Sequence, residues 1–343
     1  MKKQMISALC AIMMTMGLLS ACGDSRDNKA KKADSSGSDK TTESVDISSD
    51  DETIIDVETT DSSEMTPAMW RVEGDNGAVI TLAGSMHALN ESDYPLPEEM
   101  MNAFESSEIL AVEADLSKGD DINFQSSLLA SMYYDDPTET LHDHISQEAY
   151  DELDRYMGEY SISLSQYDNM MPWAVSNIAD NLPLQFSGLS ADMGIDRYLT
   201  EKAKDSGKEV YEVEGQEFQI DLLMNFSDDI YEMMFLTCKN KTKQNQVQLL
   251  IDTHNAWRKG DMDALEELSD DTAEIPDDYK ATLDEYYDLF LYNRNRVMAD
   301  SAEEFIKGDK NVFFMVGAAH YGGDKGIIAL LEKDGYNVER IEY

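Results

Sequence analysis

Positive charge is what this sequence has least of: 27 lysines and arginines stand against 70 aspartates and glutamates, a formal net charge of −43 over 343 residues. No basic stripe offsets that balance, so binding to nucleic acid through phosphate neutralisation is not expected. Cysteine is scarce as well. Of the three, Cys10 lies in an apolar leader, Cys22 closes that leader, and Cys238 has no partner in a mature chain, so no intrachain disulfide is expected. With no histidine near it in sequence, Cys238 reads as a small, partly buried residue of a helical stretch and not as a nucleophile. Walker-type and dinucleotide-binding fingerprints are missing, as is any tandem repeat of solenoid length.

What is present begins with a targeting segment. Lys2 and Lys3 precede the apolar stretch Met5 to Leu19, and Leu19-Ser20-Ala21-Cys22 resembles a bacterial lipoprotein lipobox. That resemblance implies a signal peptide over residues 1–22, lipidation of Cys22, and a chain anchored to the membrane on its extracytoplasmic side; an ordinary cleaved signal or an uncleaved anchor is the alternative. Residues 23–63 are mostly Ser, Asp, Lys, Thr and Glu with almost no aromatic residue. Such a stretch buries too little apolar surface to offset its ordering entropy and reads as a disordered tether. Residues 64–343 are left as one folded domain.

Within that domain, Trp70 to Glu73 and Ala78 to Leu82 flank Gly74-Asp75-Asn76-Gly77, a hairpin signal. The second of these runs ends at Gly84 and presents His87 three residues on. Ile109 to Val112 is a buried strand running into Glu113, Glu209 to Val213 delivers Glu214, and Asn311 to Met315 leads into Gly317-Ala318-Ala319-His320. Helical stretches separate these strands, which predicts an α/β (mixed α+β) fold with a mostly parallel mixed sheet and a large helical insertion or cap at about 217–308. All four strand ends then fall on the sheet edge where open α/β folds bind ligands.

Two imidazoles with one or two carboxylates suit a divalent transition metal used as a Lewis acid, and His87, His320, Glu113 and Glu214 supply those types. A structural role for each histidine, and a capping or solvated role for each glutamate, stand beside that reading. Arg294 and Asn295, on a predicted helix, have two readings: a clamp for substrate and an oxyanion donor, or a helix-surface cation and its neighbour. His142-Asp143-His144 reads as solvated polar residues before a helix, and His254 as a surface residue of an amphipathic helix.

These stretches together resemble the TraB/GumN family, which includes the Tiki-type proteins, from about Trp70 to the C-terminus. The residues that carry it are Ala83-Gly84-Ser85-Met86-His87 with Tyr94-Pro95-Leu96-Pro97, Ala111 to Leu116, Gly194 to Leu199, Arg294 to Met298, and Val316 to Gly326. For the Tiki-type branch the resemblance implies a divalent metal on His87, Glu113 and His320, and hydrolysis of peptide bonds. The metal, manganese, cobalt or zinc, is not chosen by the sequence, nor is the oligomeric state. The expectation is a metal-dependent hydrolase of a peptide or small acyl substrate, with Glu214 taking the proton of water and Arg294 and Asn295 holding substrate or oxyanion. The alternative is a binding protein that sequesters a peptide signal without turnover.

Overall fold

The computed structural model describes residues 65–269, 275 and 277–343. The expectations for the leader, Cys22 and the tether lie outside the described residues. Among those residues no helix is long and apolar enough to cross a membrane.

The six-stranded sheet has the order Glu209–Glu212, Ile109–Val112, Val312–Gly317, Val79–Ser85, Met69–Glu73, Glu339–Arg340. β1 (Met69–Glu73) and β2 (Val79–Ser85) form the antiparallel hairpin expected from Asn76-Gly77, pairing Met69 with Ala83 and Glu73 with Val79. Gly77 takes a φ of 85° in the turn, a conformation that glycine adopts without the Cβ clash of other residues. β2 then runs parallel to β5 (Val312–Gly317), β5 to β3 (Ile109–Val112), and β3 to β4 (Glu209–Glu212). β6 (Glu339–Arg340) adds antiparallel to β1 at the far side.

Alternation along the strands sorts their side chains onto two faces. Val312, Phe314 and Val316 join Ile80 and Leu82 against the helices Asn293–Ile306 and Ile327–Lys333. Phe313 and Met315 point the other way, against Phe104 of helix Glu98–Ser106, Leu199 of Ile195–Ser206 and Trp257 of Lys243–Arg258. The Phe313 and Phe104 rings meet edge to face at 5.9 Å. Burying side chains of this size contributes about 1.5–3 kcal/mol each, which makes the central strands the most strongly held part of the sheet.

A third core lies away from the sheet and is wholly helical. It unites Leu153, Tyr156, Trp173 and Val175 with Ile230, Phe235, Tyr286 and Phe290. The helical lobe therefore draws on two stretches, about 128–182 and 220–290, and is wider than the expected 217–308 insertion. Other helices of that insertion, Lys243–Arg258 and Asn293–Ile306, cover the two faces of the sheet instead. Helical periodicity marks an apolar stripe but not its partner, so the sequence pattern could not show which stripes meet.

Candidate functional site

Register brings the four strand ends together. Gly84 pairs with Val316, and Val112 with both Met315 and Glu212, so His87, His320, Glu113 and Glu214 all follow from the C-terminal ends of adjacent parallel strands. Close backbone approach requires glycine at two positions here. A Cβ on Gly84 would stand 2.9 Å from the Ala318 side chain, and one on Gly194 would stand 2.3 Å from the carbonyl oxygen of His87. Through Gly194, the start of helix Ile195–Ser206 seats directly on the His87 backbone, where Ile195 N–H donates to the Met86 carbonyl at 3.2 Å.

That contact delivers Asp196 to His87. Asp196 Oδ2 lies 2.7 Å from His87 Nδ1, both residues being buried. Nδ1 therefore sits against a carboxylate oxygen, while Nε2 has no hydrogen-bond partner among the described residues. Burial pushes the His87 pKa down, but the Asp196 charge and then Glu113 outweigh it, so the imidazole is held above its ordinary value. Burial pushes Asp196 up, and His87 with Ser85 outweighs that, so its carboxyl is held low. The two shifts share one cause, the attraction between the two groups.

Glu113 is enclosed. Its Oε1 accepts from Gly317 N–H at 2.6 Å, and its Oε2 accepts from Gln219 Nε2 at 2.9 Å and from Arg294 Nη2 at 3.0 Å. Arg294 also holds Glu214 through both oxygens, Nε to Oε1 at 2.7 Å and Nη2 to Oε2 at 2.8 Å, while Nη1 donates to the Phe290 carbonyl. The surface-cation reading of Arg294 is overturned: the residue is 3% exposed, because two strand-end carboxylates distant in sequence supply its counter-charge. Burial pushes its pKa down, and Glu214 and Glu113 more than reverse this. With both oxygens taken, Glu214 is the counter-ion of Arg294 and not the unengaged carboxylate expected of a general base.

His320 stands on the other side of Glu113, its Nε2 3.6 Å from Glu113 Oε1 and its Nδ1 2.6 Å from Asn295 Oδ1. Asn295 Nδ2 donates to the Lys325 carbonyl at 2.9 Å, so the amide is engaged at both ends and does not stand open as the expected oxyanion donor. Burial, then Arg294, lowers the His320 pKa well below the ordinary value. A π-helical turn, Asp288–Tyr292, immediately precedes Arg294 and Asn295. Turns of this kind recur at functional sites, and here both consecutive residues point inward.

Among the described residues no three His, Cys, Asp or Glu side chains converge closely enough to hold a metal ion as they stand. The donors do fit a metal in kind. The 3.6 Å between His320 Nε2 and Glu113 Oε1 is close to the about 3.4 Å between two ligands bonded at about 2.1 Å in tetrahedral geometry. His87 adds a buried Nε2 with no partner among the described residues, and Asp196 stands behind the same ring at Nδ1.

Sequence reasoning passed over Asp196 and Gln219. A signal existed for Asp196, the Gly194 before it at a helix start; Gln219 had none. The expectation for His254 is corrected: it is fully buried, its Nε2 donating to Asp93 Oδ2 at 2.9 Å, with Arg258 on the other oxygen of the same carboxylate. The acid that makes this burial tolerable lies 161 positions away, beyond any local pattern. His144, 18% exposed, bridges Glu139 and Asp228 at 3.0 Å each, away from the strand ends. Cys238 is buried, and burial pushes its thiol up to about 11, in keeping with an inert residue.

The chain matches the sequence profile of the TraB/PrgY/gumN family over residues 68–340. It is 27% identical over 250 residues to the uncharacterized protein YbaP of Escherichia coli (strain K12), covering 73% of this chain and 86% of that protein, with the same figures for YbaP of Shigella flexneri. Metalloprotease TIKI1 of Danio rerio is 27% identical over 165 residues, covering 42% of this chain and 33% of that protein. No solved structure matches.

Proposed function

The chain belongs to the TraB/PrgY/gumN family, and from that premise we propose that it is a metal-dependent hydrolase acting on a peptide or small acyl substrate, tethered through lipid on Cys22 outside the cytoplasmic membrane. The observation that carries the proposal is the meeting of metal-binding atoms at one sheet edge: a buried His87 Nε2 without a hydrogen-bond partner among the described residues, and His320 Nε2 facing Glu113 Oε1 at 3.6 Å. Buried polar atoms without partners are costly, and a site that keeps them has a use for them. The similarity to a metalloprotease supports the same reading.

In this reading His87, Glu113 and His320 hold the ion. When bound, manganese, cobalt or zinc supplies Lewis-acid polarisation of a carbonyl. The chain's own residues do the rest. Asp196 keeps the His87 ring turned to the site, Gly317 N–H and Gln219 hold the Glu113 carboxylate, and Arg294 ties Glu113 and Glu214 together as their shared donor. The engagement of Glu214 by Arg294 favours a second reading, in which the same edge holds a peptide signal without turning it over.

Metal analysis of the purified protein beside His87→Ala and His320→Ala tests both. Stoichiometric metal in the wild type, and its loss from each variant with the thermal transition retained, is expected. Full metal content in either variant removes the ligand assignment. Metal binding with no cleavage across a peptide and ester panel leaves the sequestering protein.

A further inference from the structure

The Asn295 amide carries information about His320 that does not depend on which metal, if any, is held. Its nitrogen and oxygen are told apart by their partners. Lys325 offers a carbonyl oxygen at 2.9 Å, which can only accept, so the Asn295 atom facing it is the NH2 group. The flipped amide would set two oxygens against each other at that distance, with Asn295 only 1% exposed. The remaining atom, Oδ1, lies 2.6 Å from His320 Nδ1. An amide oxygen has no proton to give, so Nδ1 carries it.

We infer that Asn295 is a positioning residue that locks His320 as the Nδ1–H tautomer and leaves the Nε2 lone pair facing Glu113. Glu113 Oε1, 3.6 Å from that lone pair, accepts from Gly317 N–H, and Oε2 accepts from Gln219 and Arg294, so every hydrogen bond this carboxyl makes is one in which it accepts. Two acceptors then confront one another in a buried space, an arrangement that repels unless a cation stands with them. Asn295 thereby makes the His320–Glu113 pair a cation seat. Asn suits this task because a neutral acceptor fixes the ring without adding a negative charge behind it, whereas His87 has a carboxylate in that position. The cation seat rests on the metal reading proposed above; the tautomer does not.

The test is 15N-resolved NMR of the histidine side chains in the full-length, metal-free protein at one mildly alkaline pH, with His320→Ala used to assign the signals. Wild type should show the Nδ1–H pattern for His320. Asn295→Leu should pass to Nε2–H, the proton now shared towards Glu113. Zinc titration should then show about 10- to 100-fold weaker binding to Asn295→Leu, the size of effect seen when a ligating histidine loses its orienting partner. An Nε2–H or doubly protonated His320 in the wild type overturns the inference, as does an unchanged tautomer in Asn295→Leu. If that variant fails to fold, the wild-type spectrum still decides the tautomer. An Nδ1–H wild type that binds no zinc upholds the positioning role and refutes the metal reading.

Discussion

Asp93 is fully buried with partners on both oxygens: His254 and the Asn90 N–H on Oδ2, and Arg258 on Oδ1. Burial pushes its carboxyl up, but His254, the Asn90 backbone and Arg258 together hold it below the usual carboxylate range. A carboxyl depressed in the folded state contributes stability at pH above its unfolded value, about 3.9, and loses it as pH falls through the folded value. Asp93→Asn should therefore cost about 3–5 kcal/mol near neutral pH, because it leaves the Arg258 charge buried without this counter-ion. The deficit should shrink as pH is lowered from about 3.9 through the lower folded value, where the wild-type carboxyl itself becomes protonated. Urea unfolding at a series of pH values checks this, and a pH-independent deficit would mean that the ion pair is not its source. Arg294 repeats the lesson with two acids in place of one. In both clusters the partners come from separate elements, so neither burial was legible from the residue and its neighbours.

At the level of elements, the strands and the hairpin were legible, while the seating of helices was not. Ile109–Val112 and Val312–Gly317 announce themselves as apolar runs because parallel strands are covered on both faces. The helix Ile195–Ser206 gives no sign that its first turn rests on His87. That contact depends on the missing side chain of Gly194. Gly194→Ala places a methyl 2.3 Å from the His87 carbonyl oxygen, and since backbone must move to relieve it, the helix start shifts. The variant should lose about 1–3 kcal/mol, the usual cost of overpacking. It should also separate Asp196 from His87, so the His87 signals in the histidine spectrum should move while those of His142 and His144 stay. Thermal unfolding and that spectrum measure the two effects independently, and a stable variant with an unchanged His87 would show that the close approach is not required.

Over the whole molecule the dominant quantity is the net charge of −43. Self-repulsion of that size opposes the compact state, and screening relieves it, with a Debye length of about 30 Å at 0.01 M and about 8 Å at 0.15 M salt. The unfolding temperature should accordingly rise when sodium chloride is raised from about 0.01 to about 0.15 M. Scanning calorimetry at the two concentrations checks it; a fall would place the balance with the attractive pairs around Asp93, Glu113 and Arg294. The charge, the hairpin, the four strands with their terminal His87, Glu113, Glu214 and His320, and the family were legible along the chain, because they rest on composition, period and short contiguous motifs. That Asp196 stands behind His87, that Asn295 faces His320, that Arg294 clasps two glutamates, and that the helical lobe is built from two stretches emerged with the folded arrangement alone. Each of these is a contact between residues far apart in the chain. Local periodicity records which face of an element is apolar, and carries no term for the element it will meet.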